Sequence, residues 1–233
     1  MDNQVTAIPK TIGQLESLKE LNLSHNQIAT IPDGIGQLKN LEILDLSDNQ
    51  IIAIPDEISC LTKLRCLSLS KNCIKIIPDS ITGLINLETL IFQSAQISKI
   101  PNSIVTLVNL QVLNLELNQI GEIPTTLVQL VNLEALFLRN NPIQNIPDSI
   151  AELKKLEISA PSSIAHHSKI NSRLYQIHQV NPRERPIPID PSPPPRVQNI
   201  AADQLRLHVG ISGRTHSVGA VWLIAFYSHG GLE

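Results

Sequence analysis

The residues of this 233-residue chain that could carry chemistry are three cysteines, seven histidines and one close pair of aspartates. A thiol becomes a nucleophile when a base or positive charge beside it favours the thiolate. Cys60, Cys66 and Cys73 have no histidine or aspartate at a spacing that would activate them, and they form no C-x-x-C pair. Their odd number predicts neither a disulfide framework nor a zinc site and fits a reducing compartment. Six histidines (His166, His167, His178, His208, His216 and His229) lie late in the chain, at spacings that match no metal motif. His25, Asp45 and Asp48 read as ordinary charge on a hydrated surface. No G-x-x-x-x-G-K-[ST] phosphate loop and no kinase motif set occurs. The expectation is a protein that is not an enzyme, with no catalytic residue, no cofactor and no metal site.

What positions all of these residues up to Ile158 is an internal repeat with a period of 23. Units start at Leu18, Leu41, Leu64, Leu87, Leu110 and Leu133, and read L-x-x-L-x-L-x-x-N-x-I-x-x-I-P-x-x-I-x-x-L-x-x. Residues 3–17 match the later part of a unit, and Lys155-Leu156-Glu157-Ile158 begins a seventh. In L-x-x-L-x-L the last two leucines fall on one face of a short strand, so Leu21 and Leu23 point inward, as do Leu113 and Leu115. The asparagines that follow (Asn26, Asn49, Asn72, Asn118 and Asn141) are placed to bond backbone groups buried in their own and neighbouring loops. The proline starts a helical turn, and Asp33, Asp56, Asp79 and Asp148 are suited to cap it. The fourth unit has Ala95 in the asparagine position, which predicts a gap filled by water or by a shifted backbone.

These motifs resemble the leucine-rich repeat family over residues 3–158. The I-P-x-x-I-x-x-L ending is similar to the Ras-group subtype, found in intracellular plant proteins, animal Ras-pathway scaffolds and bacterial proteins, including effectors of pathogens. The resemblance implies an α/β fold, a leucine-rich repeat solenoid. A curved, parallel β-sheet lines its concave face, and short helical or 3-10 turns line the convex one. It further implies a non-catalytic module for protein–protein interaction, serving small-GTPase signalling as a scaffold or acting on host proteins as an effector. Some effectors with such repeats carry a cysteine-dependent ubiquitin ligase after them. The absence of cysteine after Cys73 argues against that.

The expected organisation is a solenoid over 1–158 (half a repeat plus six full ones), a capping helix over 159–180, a proline-rich linker over 181–197 and an irregular tail over 198–233. Ile170, Leu174 and Ile177 recur at helical spacing in the first of these additions. Pro191-Ser192-Pro193-Pro194-Pro195-Arg196 has the form P-x-x-P-x-R and resembles a ligand for SH3 domains, but the match is short and a plain linker is the reading it favours. The apolar run Val218–Tyr227 is ten residues long, half of what a membrane span needs. It could dock on the solenoid, join another chain, or reflect a frame error. Met1 and Asp2 stand where a first strand would run, which raises the alternative of a truncated fragment of a larger array without independent function.

A binding function would sit on the strand residues that alternate with the inward leucines. From the fourth unit on, these gather Ile91, Val112, Leu117 and Phe137, bordered by Glu116 and Arg139. An apolar centre with a charged rim is the composition of a protein-binding patch. A net charge of −3 argues against nucleic acid as the partner. The N-terminus lacks the basic and apolar regions of a signal peptide, and the expected compartment is the cytoplasm, or a host cell reached without such a signal.

Overall fold

The computed structural model describes residues 4–160. The expected capping helix, proline-rich linker, SH3-like segment and tail lie outside the described residues.

Among the described residues seven parallel strands form one open sheet whose spatial order is the chain order. They are β1 (Glu20–Asn22), β2 (Ile43–Asp45), β3 (Cys66–Ser68), β4 (Thr89–Ile91), β5 (Val112–Asn114), β6 (Ala135–Phe137) and β7 (Glu157–Ser159). Each of the first five pairs with the next at a register of one whole repeat, Glu20 opposite Ile43 and Leu90 opposite Leu113. The repeat is one residue shorter before β7, where Ala135 faces Glu157.

Behind the sheet each repeat makes one 3-10 turn: Lys10–Gln14, Asp33–Gln37, Asp56–Cys60, Asp79–Gly83, Asn102–Thr106, Thr125–Gln129 and Asp148–Glu152. Proline sets up these turns, because its fixed φ and extended ψ aim its carbonyl at the N–H three residues on. Pro32 O accepts from Ile35 N at 3.0 Å, and Ile35 O then accepts from Leu38 N at 3.1 Å. The aspartates do not cap these turns as expected. Proline itself holds the cap position, and Asp33, Asp56, Asp79 and Asp148 follow it as first turn residues without a capping bond. Asp79 instead accepts from the Ser103 hydroxyl of the next repeat at 2.6 Å. A methyl group on Gly34 would run into the Lys10 carbonyl, and one on Gly83 into the Ser59 carbonyl. There the convex turns approach more closely than a side chain allows.

Between sheet and turns lies a single core of stacked leucine and isoleucine, each layer covering the next. Leu41, Leu44, Leu46, Ile51, Ile58 and Leu61 of one repeat are fully buried. Burial of one such side chain contributes about 1.5–3 kcal/mol. Phe92 takes the inward position held by Leu69 and Leu115 in the flanking repeats, and it is fully buried as well.

Candidate functional site

The asparagine column is built as its spacing predicts. The Oδ1 of Asn72 accepts the Ile51 N–H at 2.9 Å, and its Nδ2 donates to the carbonyls of Leu46, Leu69 and Ser70. Asn49, Asn118 and Asn141 repeat this pattern, and Asn26, half-buried, accepts from Val5 N. Ala95 interrupts the column. The backbone shifts there, and Gln96 joins Ser94 at positive φ (66° and 57°). The bonds that other repeats make to the asparagine oxygen and across to the next loop are missing around Ile74 and Gln96.

On the concave face the central column runs Asn22, Asp45, Ser68, Ile91, Asn114, Phe137. Strands about 4.8 Å apart bring residues of one column into contact, so each covers its neighbours. As a result Asp45, Ser68, Ile91 and Asn114 are all buried. This corrects two expectations. Ile91, at 3% exposure between Ser68 and Asn114, is no part of a contact surface. Asp45 is no hydrated surface charge either.

The remaining patch residues do come together. Val112 and Phe137 are half-buried on adjacent strands, Leu117 is 47% exposed, and Arg139 is exposed beside them. Glu116 is half-buried, and desolvation holds its carboxyl above the usual range, opposed by the charge of Arg139. Leu117 has φ 56°, in the left-handed region shared by His25, Asp48, Lys71, Ser94 and Asn140 in the same column. A leucine is a costly choice for that conformation, and nearly half of its surface stays open to solvent.

The first half of the face is polar and carries its own pairings. His25 Nδ1 lies 2.7 Å from Asp48 Oδ2, so neither is the isolated surface group expected. Asp45 Oδ1 accepts from the backbone N–H and the hydroxyl of Ser47 at 3.0 and 2.7 Å, whereas Oδ2, fully buried, meets no donor among the described residues. The Cys66 thiol is pushed up to about 11, first by burial and then by the charges of Asp45 and Glu88. The thiol is half-buried rather than at the surface and holds its proton more firmly than a free one. Among the described residues no group of three histidine, cysteine or acidic side chains could hold a metal ion, and no helix is long and apolar enough to cross a membrane.

One set of structural residues escaped the sequence reading. Asn40, Asn86, Asn109 and Asn132 each donate to a carbonyl of the preceding repeat at 2.8 Å: Glu16, Thr62, Ile85 and Val108. They form a second asparagine column on the edge that joins turn to strand. Its signal was an asparagine ending four of the six units. Beside it, Lys19 pairs with Glu42 at 3.3 Å and Arg65 with Glu88 at 2.9 Å, the latter through two bonds. Lys63 donates to the amide oxygen of Asn40 at 2.7 Å.

Two family models match the chain, a leucine-rich repeat region over residues 3–96 and a leucine rich repeat over residues 85–143. No curated protein matches it. Among solved structures it is similar to the ectodomain of the Arabidopsis thaliana membrane receptor kinase GASSHO1/SCHENGEN3, in complex with CASPARIAN STRIP INTEGRITY FACTOR 2. That match has 32% identity over 67% of this chain and 20% of the receptor, with a TM-score of 0.62. It is also similar to an internalin from Listeria monocytogenes, with 28% identity over 72% of this chain and 48% of the internalin, and a TM-score of 0.62. The chain thus spans from a fifth to about half of the length of these two proteins.

Proposed function

Because residues 3–143 belong to the leucine-rich repeat family, we propose that the chain is a non-catalytic recognition module that docks a protein partner on the second half of its concave face. The observation that carries this reading is the cluster of Val112, Leu117 and Phe137, edged by Glu116 and Arg139. Leu117 presents apolar surface to solvent from a backbone conformation that leucine disfavours. Aromatic and apolar anchors inside a charged rim carry most of the energy of typical protein interfaces. The similar plant ectodomain holds a protein ligand in its complex, which supports the same use of this array. The Ras-group-like ending of the repeat supports a role as a scaffold in small-GTPase signalling or as a bacterial effector acting on host proteins, with the cytosol of the cell or of a host as its place of action.

The test is capture of partners by the wild-type chain and by Leu117→Asp and Phe137→Asp variants, each shown to fold by circular dichroism. A protein retained by the first and lost by both variants supports the assignment. Equal retention by all three overturns it and directs attention to the segment from Pro191 to Arg196.

A further inference from the structure

We propose that the row of Ile85, Val108 and Val131, on the edge where each convex turn leads back to its strand, docks an amphipathic helix of a protein partner that carries acidic residues beyond both ends of its apolar stripe. The three occupy one position in three successive repeats, and they are 53%, 52% and 67% exposed. The repeats before and after carry polar or charged residues there, Lys39, Thr62 and Lys154. Branched aliphatic side chains lined up in water on an otherwise polar edge mark a contact surface. The row lies away from the concave patch, and the inference stands whether or not that patch binds.

The backbone of the row decides the form of its occupant. The N–H groups of Ile85, Val108 and Val131 donate to the carbonyls of Gly83, Thr106 and Gln129, each at 2.9 Å. The carbonyls of Ile85 and Val108 accept from the Asn109 and Asn132 amides at 2.8 Å. With these groups already bonded, an extended chain laid along the row gains no backbone bonds from it. A helix bonds its backbone within itself and brings only side chains. Its spacing fits as well: at about 4.8 Å per repeat the row is roughly 10 Å long, the rise of about seven helical residues. Apolar residues at i, i+3 and i+7 would face Ile85, Val108 and Val131 in turn.

Charge and area decide between a partner and a second copy of this chain. In the row and the column beside it, exposed lysines stand at both ends, Lys39 and Lys63 before Ile85 and Lys154 and Lys155 after Val131. Lys39 and Lys63 donate to the Cys60 carbonyl and the Asn40 amide, and among the described residues none of the four meets a carboxylate. Two copies packed row against row about a twofold axis run in opposite directions, so lysine ends would face lysine ends. The row also offers only on the order of 300 Å², against about 800 Å² on each side of a stable interface between chains. A single helix with acids one turn beyond its stripe suits both facts. The exposed acids of the Val131 end, Glu134 and Glu152, lie in columns on either side of the row. A flat anionic bilayer would press them down with the lysines, whereas a helix along the row meets the lysines alone.

The probe is a fluorescein-labelled helical 20-mer of alanine and glutamine with leucine at positions 7, 10 and 14 and glutamate at positions 3 and 17. Controls carry lysine at 3 and 17, or glutamine in place of the leucines. In fluorescence anisotropy the full chain is expected to bind the glutamate peptide at least fivefold more tightly than either control. Val108→Asp should weaken that binding at least tenfold, Lys154→Glu/Lys155→Glu should erase the preference for glutamate over lysine, and Leu117→Asp should leave it unchanged. A wild-type chain that binds no peptide, or binds the glutamate and lysine peptides equally, overturns the proposal, and neither comparison needs a variant to fold. So does binding that survives in a folded Val108→Asp chain. Binding lost in Leu117→Asp and kept in Val108→Asp places the helix on the concave face, which spares that reading and removes this one. Self-association of the chain in sedimentation, or capture by phosphatidylcholine–phosphatidylserine vesicles, that Val108→Asp abolishes while the peptides fail to bind gives the row to a second copy or to a membrane instead.

Discussion

Ala95 stands one repeat beyond the backbone N–H of Ile74, where the flanking repeats place an asparagine oxygen for the equivalent donor. Both residues are fully buried, and the Ile74 N–H finds no other acceptor among the described residues. The same repeat holds Phe92 in a leucine position, so added volume and a lost amide occur together. The double variant Phe92→Leu/Ala95→Asn is therefore expected to be more stable than wild type by about 1–2 kcal/mol, and Ala95→Asn alone to gain less. Denaturant titration gives the stabilities, and hydrogen exchange at Ile74 reports the restored bond. A double variant no more stable than wild type would show that the left-handed turn at Gln96 already compensates.

Asn72 and Arg65 both bond across repeats, yet their removal should differ several-fold in cost. Asn72→Ala strands the Ile51 N–H and loses a donor to three carbonyls in a dry interior, a loss of about 3 kcal/mol or more. Arg65→Ala breaks a two-bond pair with Glu88 on the surface, worth at most about 1 kcal/mol. Urea unfolding of the two variants compares them directly, and equal losses would refute the assigned roles.

Ile91→Asp and Leu117→Asp are both apolar-to-acid changes on the concave side of the sheet. The first places a carboxylate in a closed site between Ser68 and Asn114 and is expected to cost more than about 3 kcal/mol. The second meets water, and its stability should stay within about 0.5 kcal/mol of wild type. Thermal melts followed by circular dichroism distinguish them.

The Cys66 thiol ionises at about 11 in the folded chain against 9.0 for a free thiol. The folded state holds this proton more tightly, so the unfolded state loses it first as pH rises. The contribution is fully present below pH 9 and is lost between about 9 and 11. Stability should fall through that window more steeply in wild type than in Cys66→Ser, measured by urea unfolding at several pH values. Parallel slopes would contradict the burial of the thiol. Alkylation near neutral pH should reach the exposed Cys73 well before Cys66.

The stacking of this fold was legible because its causes recur. Leu44, Pro32 and Asn49 each do a job that must be done once per turn of the coil, so period alone reveals it. The patch was legible only in part. Alternation along a strand tells which face Ile91 and Phe137 occupy, but not that Ser68 and Asn114 close over the first and leave the second half open. That depends on the distance between strands and on the size of residues a whole repeat away. The orphaned oxygen of Asp45 was hidden for the same reason. The edge column of Asn40, Asn86, Asn109 and Asn132 was visible as a recurrence, but its purpose follows only from where the preceding repeat leaves its carbonyls. The caps assigned to Asp33 and its equivalents failed because proline had already taken that position and the aspartates fell one residue too late.

The strict succession of β1 to β7 has a mechanical consequence. No strand is threaded between two others, so tension applied at the ends can detach the outermost repeat and leave the next one intact. Each detachment releases the register offset between neighbouring strands, 23 residues except for 22 at β7, or roughly 75 Å of extended chain. Pulled in an optical trap, this array should lengthen in a staircase of near-equal steps rather than in one rupture.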